Sequence, residues 1–109
     1  MTAAQWEHPD AAEEFDAGVH WYESQRPGMG LKLLDRVREA RREIADWPDA
    51  AQFFARTDDG AVVRSKDIRG FPYRILYALL PDALVILAYA HERRKPGYWI
   101  HRASNSSEQ

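Results

Sequence analysis

Five apolar residues, Leu33, Val37, Ala40, Ile44 and Trp47, recur at steps of 4, 3, 4 and 3. That spacing follows the 3.6-residue turn of an α-helix, so all five fall on one stripe. Asp35, Arg38, Glu39, Arg42, Glu43 and Asp46 lie largely off the stripe, with mixed signs three and four residues apart. The spacing predicts a helix from about Gly30 to a stop at Pro48. Such a one-sided helix draws most of its stability from a second apolar layer, which the rest of the chain must supply.

On the N-terminal side, Gln5-Trp6-Glu7-His8 reads as a short strand. Pro9 suits the first turn of a helix, where its missing N–H costs nothing, and Asp10, Glu13 and Glu14 suit the positive end of the dipole. Ala11, Ala12, Phe15, Val19 and Tyr22 recur at helical spacing; Gly18 weakens this helix and Arg26-Pro27-Gly28 ends it. The connection to the second helix is short, which predicts an antiparallel helix hairpin.

After a polar stretch from Asp49 to Gly60 the period changes. Ala61 to Ile68, Tyr73 to Leu80 and Leu84 to Glu92 are rich in Val, Ile, Leu and Tyr, with turn residues between them. Pro81-Asp82 closes the last two runs into a hairpin. A symmetric turn there sets Arg74 opposite Tyr89 and Leu76 opposite Leu87, with His91 diagonal to Arg74 on the same sheet face. Arg93 continues that face, and Tyr73, Ile75, Tyr77, Ile86 and Ala88 make the other. The expected fold is α+β: a short N-terminal strand, an antiparallel helix hairpin and a three-stranded antiparallel meander. The helices cover one sheet face. Leu33, Val37, Ile44, Ile75, Tyr77 and Ile86 are buried between the layers. The other face is open and carries Arg74, Tyr89, His91 and Arg93. One domain spans residues 1–102, and the small polar residues 103–109 form a tail with nothing to bury.

The 109 residues hold no cysteine, which excludes a disulfide framework and a thiolate metal site and fits a reducing cytosol. The N-terminus lacks a basic, then apolar, secretory pattern, and the longest apolar run, Ile75 to Ala90, is broken by Pro81-Asp82, so no membrane span is expected. No pair of the four histidines has zinc-site spacing with a third ligand, so no metal or other cofactor is expected. There is neither a phosphate-cradling Gly-rich loop nor a nucleophile elbow. Charge is uneven: residues 1–60 carry 7 Lys and Arg against 13 Asp and Glu, and residues 61–109 carry 8 against 4. A basic sheet half can attract phosphate although the whole chain is slightly acidic.

Three clusters on that half carry candidate chemistry. Arg64 and Lys66, two apart on a strand, project to one side; they suit a phosphate, with Lys66 a proton carrier, or equally a charged edge strand. Arg74 stands in an otherwise apolar strand, where a guanidinium needs either a phosphate-like ligand or a salt bridge to Asp67 or Glu92. His91-Glu92-Arg93-Arg94-Lys95-Pro96-Gly97-Tyr98-Trp99 joins an imidazole, three cations and two aromatics. That composition suits RNA, whose bases stack on aromatics and whose phosphates meet Arg; the alternative is a basic turn with Trp99 in the core.

Trp21-Tyr22-Glu23, the run Phe71-Pro72-Tyr73-Arg74-Ile75-Leu76-Tyr77, and His91-Glu92-Arg93-Arg94 with Pro96-Gly97-Tyr98-Trp99 together resemble the RelE/ParE toxins, more closely the branch of plasmid stabilisation proteins. The resemblance runs from about Trp6 to Arg102. It implies the β-α-α-β-β-β fold, a role as toxin of a type II toxin–antitoxin system, and a cognate antitoxin that wraps and neutralises the chain in a hetero-oligomer. RelE-like members are mRNA interferases that cut on the ribosome; ParE-like members share the fold but poison DNA gyrase without being nucleases. Arg64, Lys66, Arg74, Arg93 and Tyr98 occupy the RelE-like positions, with His91 resembling the His of other nuclease members and Arg94 and Lys95 as further RNA contacts. Arg64 stands where a Lys is often found, and the His-x-Arg-Arg ending is also ParE-like. The implied reaction is metal-independent. Lys66 or His91 takes a proton from a 2′-hydroxyl, that oxygen attacks the adjacent phosphorus, Arg74 and Arg93 stabilise the phosphoryl charge, and Tyr98 or His91 protonates the leaving 5′-oxygen. Ribosome-dependent RNA cleavage is the first expectation, gyrase inhibition the second, and a member that only binds its antitoxin the third.

Overall fold

A computed structural model describes residues 4–93 and 97–102. Strand β1 (Ala4–Glu7) leads into helices α1 (Pro9–Gln25) and α2 (Met29–Asp46), followed by β2 (Gln52–Arg56), β3 (Val62–Asp67), β4 (Tyr73–Leu79) and β5 (Ala83–His91). The strands form one sheet in the order β1-β5-β4-β3-β2, with β1 parallel to β5 and all other pairs antiparallel. Among the described residues no helix is long and apolar enough to cross a membrane.

The helix hairpin forms as its residues dictate. Pro9 sits in the first turn of α1, and the Asp10 N–H donates to Nδ1 of His8, which caps the helix at 3.0 Å. Arg26 turns extended and ends α1. Gly28, at φ 92°, makes the corner in the left-handed region where a side chain is strained. No side chain at Gly28 can cap α2, so Glu23 reaches across instead: its carboxylate accepts the N–H groups of Gly28 and Gly30, both at 3.0 Å. The helices then cross closely at Gly30, where an added Cβ would lie 2.7 Å from the Val19 carbonyl.

The expected core is present. Leu33, Val37, Ile44, Ile75, Tyr77 and Ile86 are all buried, with Ala11, Ala40 and Tyr89 among them, between the helix pair and one face of the sheet. Trp47, expected on the same stripe, is instead 71% exposed, because α2 stops at Asp46 and Trp47 leaves the helical path as its C-cap.

Three other expectations change. The stretch read as polar, Asp49 to Gly60, contains β2, so the meander has four strands and the whole sheet five. As an exposed edge strand, β2 shows no alternating burial to betray it. Secondly, the β4–β5 register slips. Near the Pro81-Asp82 turn the pairs are the expected ones, Leu79 with Leu84 and Tyr77 with Ile86. A bulge then leaves Leu87 over, and beyond it Leu76 pairs with Ala88, Ile75 with Tyr89, Arg74 with Ala90 and Tyr73 with His91. An extra residue swaps the faces of everything past it. Tyr89 and His91 therefore join the helix side, and Arg74 stays on the other. Thirdly, the outer face is not open. Val63, Leu76, Ala78, Val85, Leu87 and Ala88 form a second buried cluster with Trp99. Trp99 as a core residue agrees with one of its two sequence readings.

Candidate functional site

The sheet distributes the candidate residues over two faces. Arg64 and Lys66 do project to one side, opposite Tyr77 and Ile75 on the helix face. Both are engaged there: Arg64 Nη1 donates to the Ala51 carbonyl at 2.9 Å, and Lys66 Nζ lies 3.4 Å from Glu43 Oε1 on α2. Arg74 lies on the outer face, its guanidinium 5.7 Å from the ring centroid of Phe54, which in turn stands 5.9 Å from Trp99. Among the described residues Arg74 forms no ion pair, so neither Asp67 nor Glu92 plays the structural part that sequence reasoning offered them. Phe54 is the residue left unpaired at the irregularity of β2, between Phe53 and Ala55.

His91 stands edge-on to Tyr73 at 5.1 Å on the helix side, and its Nδ1 accepts the N–H of Arg93 at 3.1 Å. That bond fixes the acceptor nitrogen and leaves Nε2 as the donor in the neutral ring. Arg93 itself is exposed. Tyr98 lies half-buried beneath the guanidinium of Arg102, 5.0 Å from Cζ to the ring. Arg94 and Lys95 lie outside the described residues. The expected group of Arg74, His91 and Arg93 on one open face, rimmed by Arg64, Lys66 and Tyr98, is therefore not assembled: Arg74 is separated from His91 and Lys66 by the sheet itself.

Two of the candidates do meet. His91 and Tyr98 line a groove of about 340 Å³ together with Glu14, Ala17, Gly18, Trp21, Tyr73 and Tyr89. Helix α1 supplies one wall with Glu14, Ala17, Gly18 and Trp21, and β4, β5 and the turn before Trp99 supply the other. Burial, together with the nearby Tyr22 and Glu14, pushes the Tyr73 phenol above its ordinary pKa. Burial and a hydrogen bond to Glu7 do the same for Tyr89, whose hydroxyl donates to Glu7 at 2.5 Å. Both phenols stay protonated and offer the groove no anion.

Sequence reasoning missed Glu14 and Arg102. Beyond Ile86, β5 has no partner strand on its outer edge, because β1 ends at Glu7. Glu14 accepts the Tyr89 N–H at 3.1 Å, and Arg102 Nη1 donates to the Leu87 carbonyl at 2.9 Å. The two side chains bond each other as well, so they stand where a longer β1 would. Glu14 had read as a helix-start charge, and nothing local marks a pair of residues that far apart in the chain.

Comparison with known proteins bears on the fold. No family model matches the chain, and no curated protein matches it. A chain from the solved structure of the chromosomal ParDE TA system from P. aeruginosa superposes with a TM-score of 0.69 at 16% sequence identity, covering 83% of this chain and 96% of that one. At that identity the likeness is one of fold. The fold implied by the resemblance to RelE/ParE toxins is thus the fold this chain adopts, and it is shared with a component of a ParDE system.

Proposed function

We propose that the chain is the toxin of a type II toxin–antitoxin pair, neutralised by a cognate antitoxin in the cytosol, and that it arrests growth by binding a protein target rather than by cutting RNA. DNA gyrase is the target class that ParE-like resemblance offers. The shared fold with a ParDE component supports the toxin reading. One observation carries the choice of mechanism: Arg74 and Lys66 project from opposite faces of the sheet, and Lys66 is tied to Glu43. Phosphodiester cleavage needs the base and the charge-stabilising cations within hydrogen-bond reach of one phosphate. Groups on opposite faces cannot meet there.

A second reading, ribosome-dependent mRNA cleavage, is favoured by the groove that joins His91 and Tyr98. There His91, whose Nε2 faces away from the Arg93 N–H as a donor, is the acid, and Arg93, next along, is the phosphate contact. Inducing the chain in a sensitive host separates the two. Broken DNA with intact mRNA is expected; mRNA cut within minutes, with intact DNA, overturns the binding mechanism. Co-expression with the adjacent reading frame is expected to give a co-purifying small protein and to restore growth. Harmless expression without any binding partner would leave neither reading standing.

A further inference from the structure

Among the described residues, every Lys or Arg that the fold buries or half-buries has a polar partner, with one exception. Arg36, Arg41, Arg64, Lys66 and Arg102 each form a hydrogen bond or an ion pair. Arg74, also half-buried, forms neither. Its guanidinium rests on the Phe54 ring instead. A ring face attracts the charge but does not satisfy the N–H donors as an oxygen would.

Ser65 stands beside it with the same deficit. Ser65 pairs with Leu76 on β4 and Asp67 with Arg74, so Ser65 and Arg74 are diagonal neighbours on the outer face. To reach Phe54 on β2, the Arg74 side chain must cross β3, which lies between. Ser65 is only 7% exposed, and its hydroxyl makes no hydrogen bond among the described residues. Two unsatisfied polar groups in an apolar surround lower stability until an outside acceptor meets them. The way in is open: Arg74 lines a hollow of about 320 Å³ with Asp67, Gly70 and Glu92. Both of those carboxylates are exposed, and neither pairs with Arg74.

We propose that Arg74 and Ser65 receive one carboxylate, that of an Asp or Glu carried by a protein partner and flanked by apolar residues. The guanidinium fork takes its two oxygens, and the Ser65 hydroxyl donates to one of them. Phe54, 37% exposed beside the Trp99 ring, offers the flanking residues an apolar surface. Arg74 is the only Lys or Arg that the strands place on this face; Arg56, Arg64 and Lys66 are on the other. A nucleic-acid backbone is held by several cations together, whereas a lone carboxylate in an apolar setting requires one. The site does not depend on what the chain inhibits.

The test follows the Arg74 Nε–H resonance of the full chain, assigned by its loss in Arg74→Leu. Three probes are titrated: a capped peptide with one Glu between leucines, the same peptide with Gln, and hexauridylate. The Glu peptide is expected to shift the resonance saturably, and the Gln peptide to bind about tenfold more weakly. Ser65→Ala is expected to weaken the Glu peptide severalfold without lowering the melting temperature, because the hydroxyl it removes has no partner in the fold. Asp67→Asn is expected to leave the melting temperature unchanged. Equal binding of the two peptides, no shift in the wild-type chain, or unchanged binding in Ser65→Ala would each overturn the proposal. A melting temperature lowered by Asp67→Asn, but not when Arg74→Leu is already present, would overturn it by pairing Arg74 within the chain. Hexauridylate shifting the resonance at lower concentration than the Glu peptide would also overturn it, by assigning the site to phosphate.

Discussion

Arg102 closes on Glu14 as a two-point ion pair, Nη1 to Oε1 at 3.0 Å and Nη2 to Oε2 at 3.1 Å, with side chains only 7% and 15% exposed. The pair ties the last described turn of the chain to the second turn of its first helix. It also satisfies the β5 edge at the bulge and just beyond it. The arrangement uses the planar fork of Arg, which a Lys cannot reproduce.

Arg102→Ala leaves the shielded Glu14 carboxylate without its counter-charge and the Leu87 carbonyl without its donor. The expected loss is about 3–5 kcal/mol in urea unfolding. Arg102→Lys keeps the charge but not the two-point geometry and is expected to fall between Ala and wild type. A loss below about 1 kcal/mol for Arg102→Ala would mean that the pair contributes little to holding the C-terminal turn in place.

His8 makes stability depend on pH. Burial, with the nearby Arg102 and His101 adding to it, lowers its pKa below the ordinary 6.5, against the opposing pull of Asp10 and Glu14. The folded chain therefore resists the proton that the unfolded chain accepts. The cap's contribution is complete above pH 6.5 and is lost as pH falls through the lowered folded value. Protonation fills the Nδ1 lone pair that accepts the Asp10 N–H and sets a positive charge at the positive end of α1. The expected fall is about 1 kcal/mol, the worth of a helix cap. His8→Asn keeps a capping acceptor without the titration, so its thermal stability between pH 7.5 and 5 should vary less than wild type.

Gly30 and Gly18 should respond in opposite directions to alanine. At Gly30 the new Cβ would lie 2.7 Å from the Val19 carbonyl and 3.0 Å from Glu23, so backbone must move and the α2 cap loosens. The expected cost is about 1–3 kcal/mol. At Gly18 the Cβ has room, and helix propensity favours alanine by up to about 1 kcal/mol. Thermal unfolding of the two variants decides both signs.

Arg74→Ala and His91→Ala separate the mechanisms by growth assay. If the chain acts by binding a target away from these residues, both folded variants remain toxic. If either residue stabilises or activates a phosphoryl transition state, its loss should lower activity by about 10²–10³. Retained toxicity in Arg74→Ala with loss in His91→Ala would point to the groove rather than the outer face.

The helices, the hairpin turn and the inner core were legible in the sequence. A stripe such as Leu33, Val37, Ala40 and Ile44 is a local pattern, fixed by the helical period and by the need to bury one side. The same holds for Tyr73, Ile75 and Tyr77 on β4. Strand β2 was hidden because an exposed edge strand has no buried face to imprint on its sequence; pairing with β3 makes Gln52–Arg56 a strand.

The candidate site was legible only as composition. Which residues are basic, aromatic or titratable can be read from the chain, but which of them meet depends on the faces they occupy. A single unpaired residue, Leu87, moved His91 and Tyr89 to the side away from Arg74. That bulge falls where β1 runs out and where Arg102 takes the Leu87 carbonyl, an event set by residues distant in sequence. Local periodicity determined the elements of this protein. Tertiary packing alone decided the register past Leu87, the closure of β5 by Glu14 and Arg102, and hence which side chains share a groove, because strand registry is a balance among contacts that no short stretch of sequence contains.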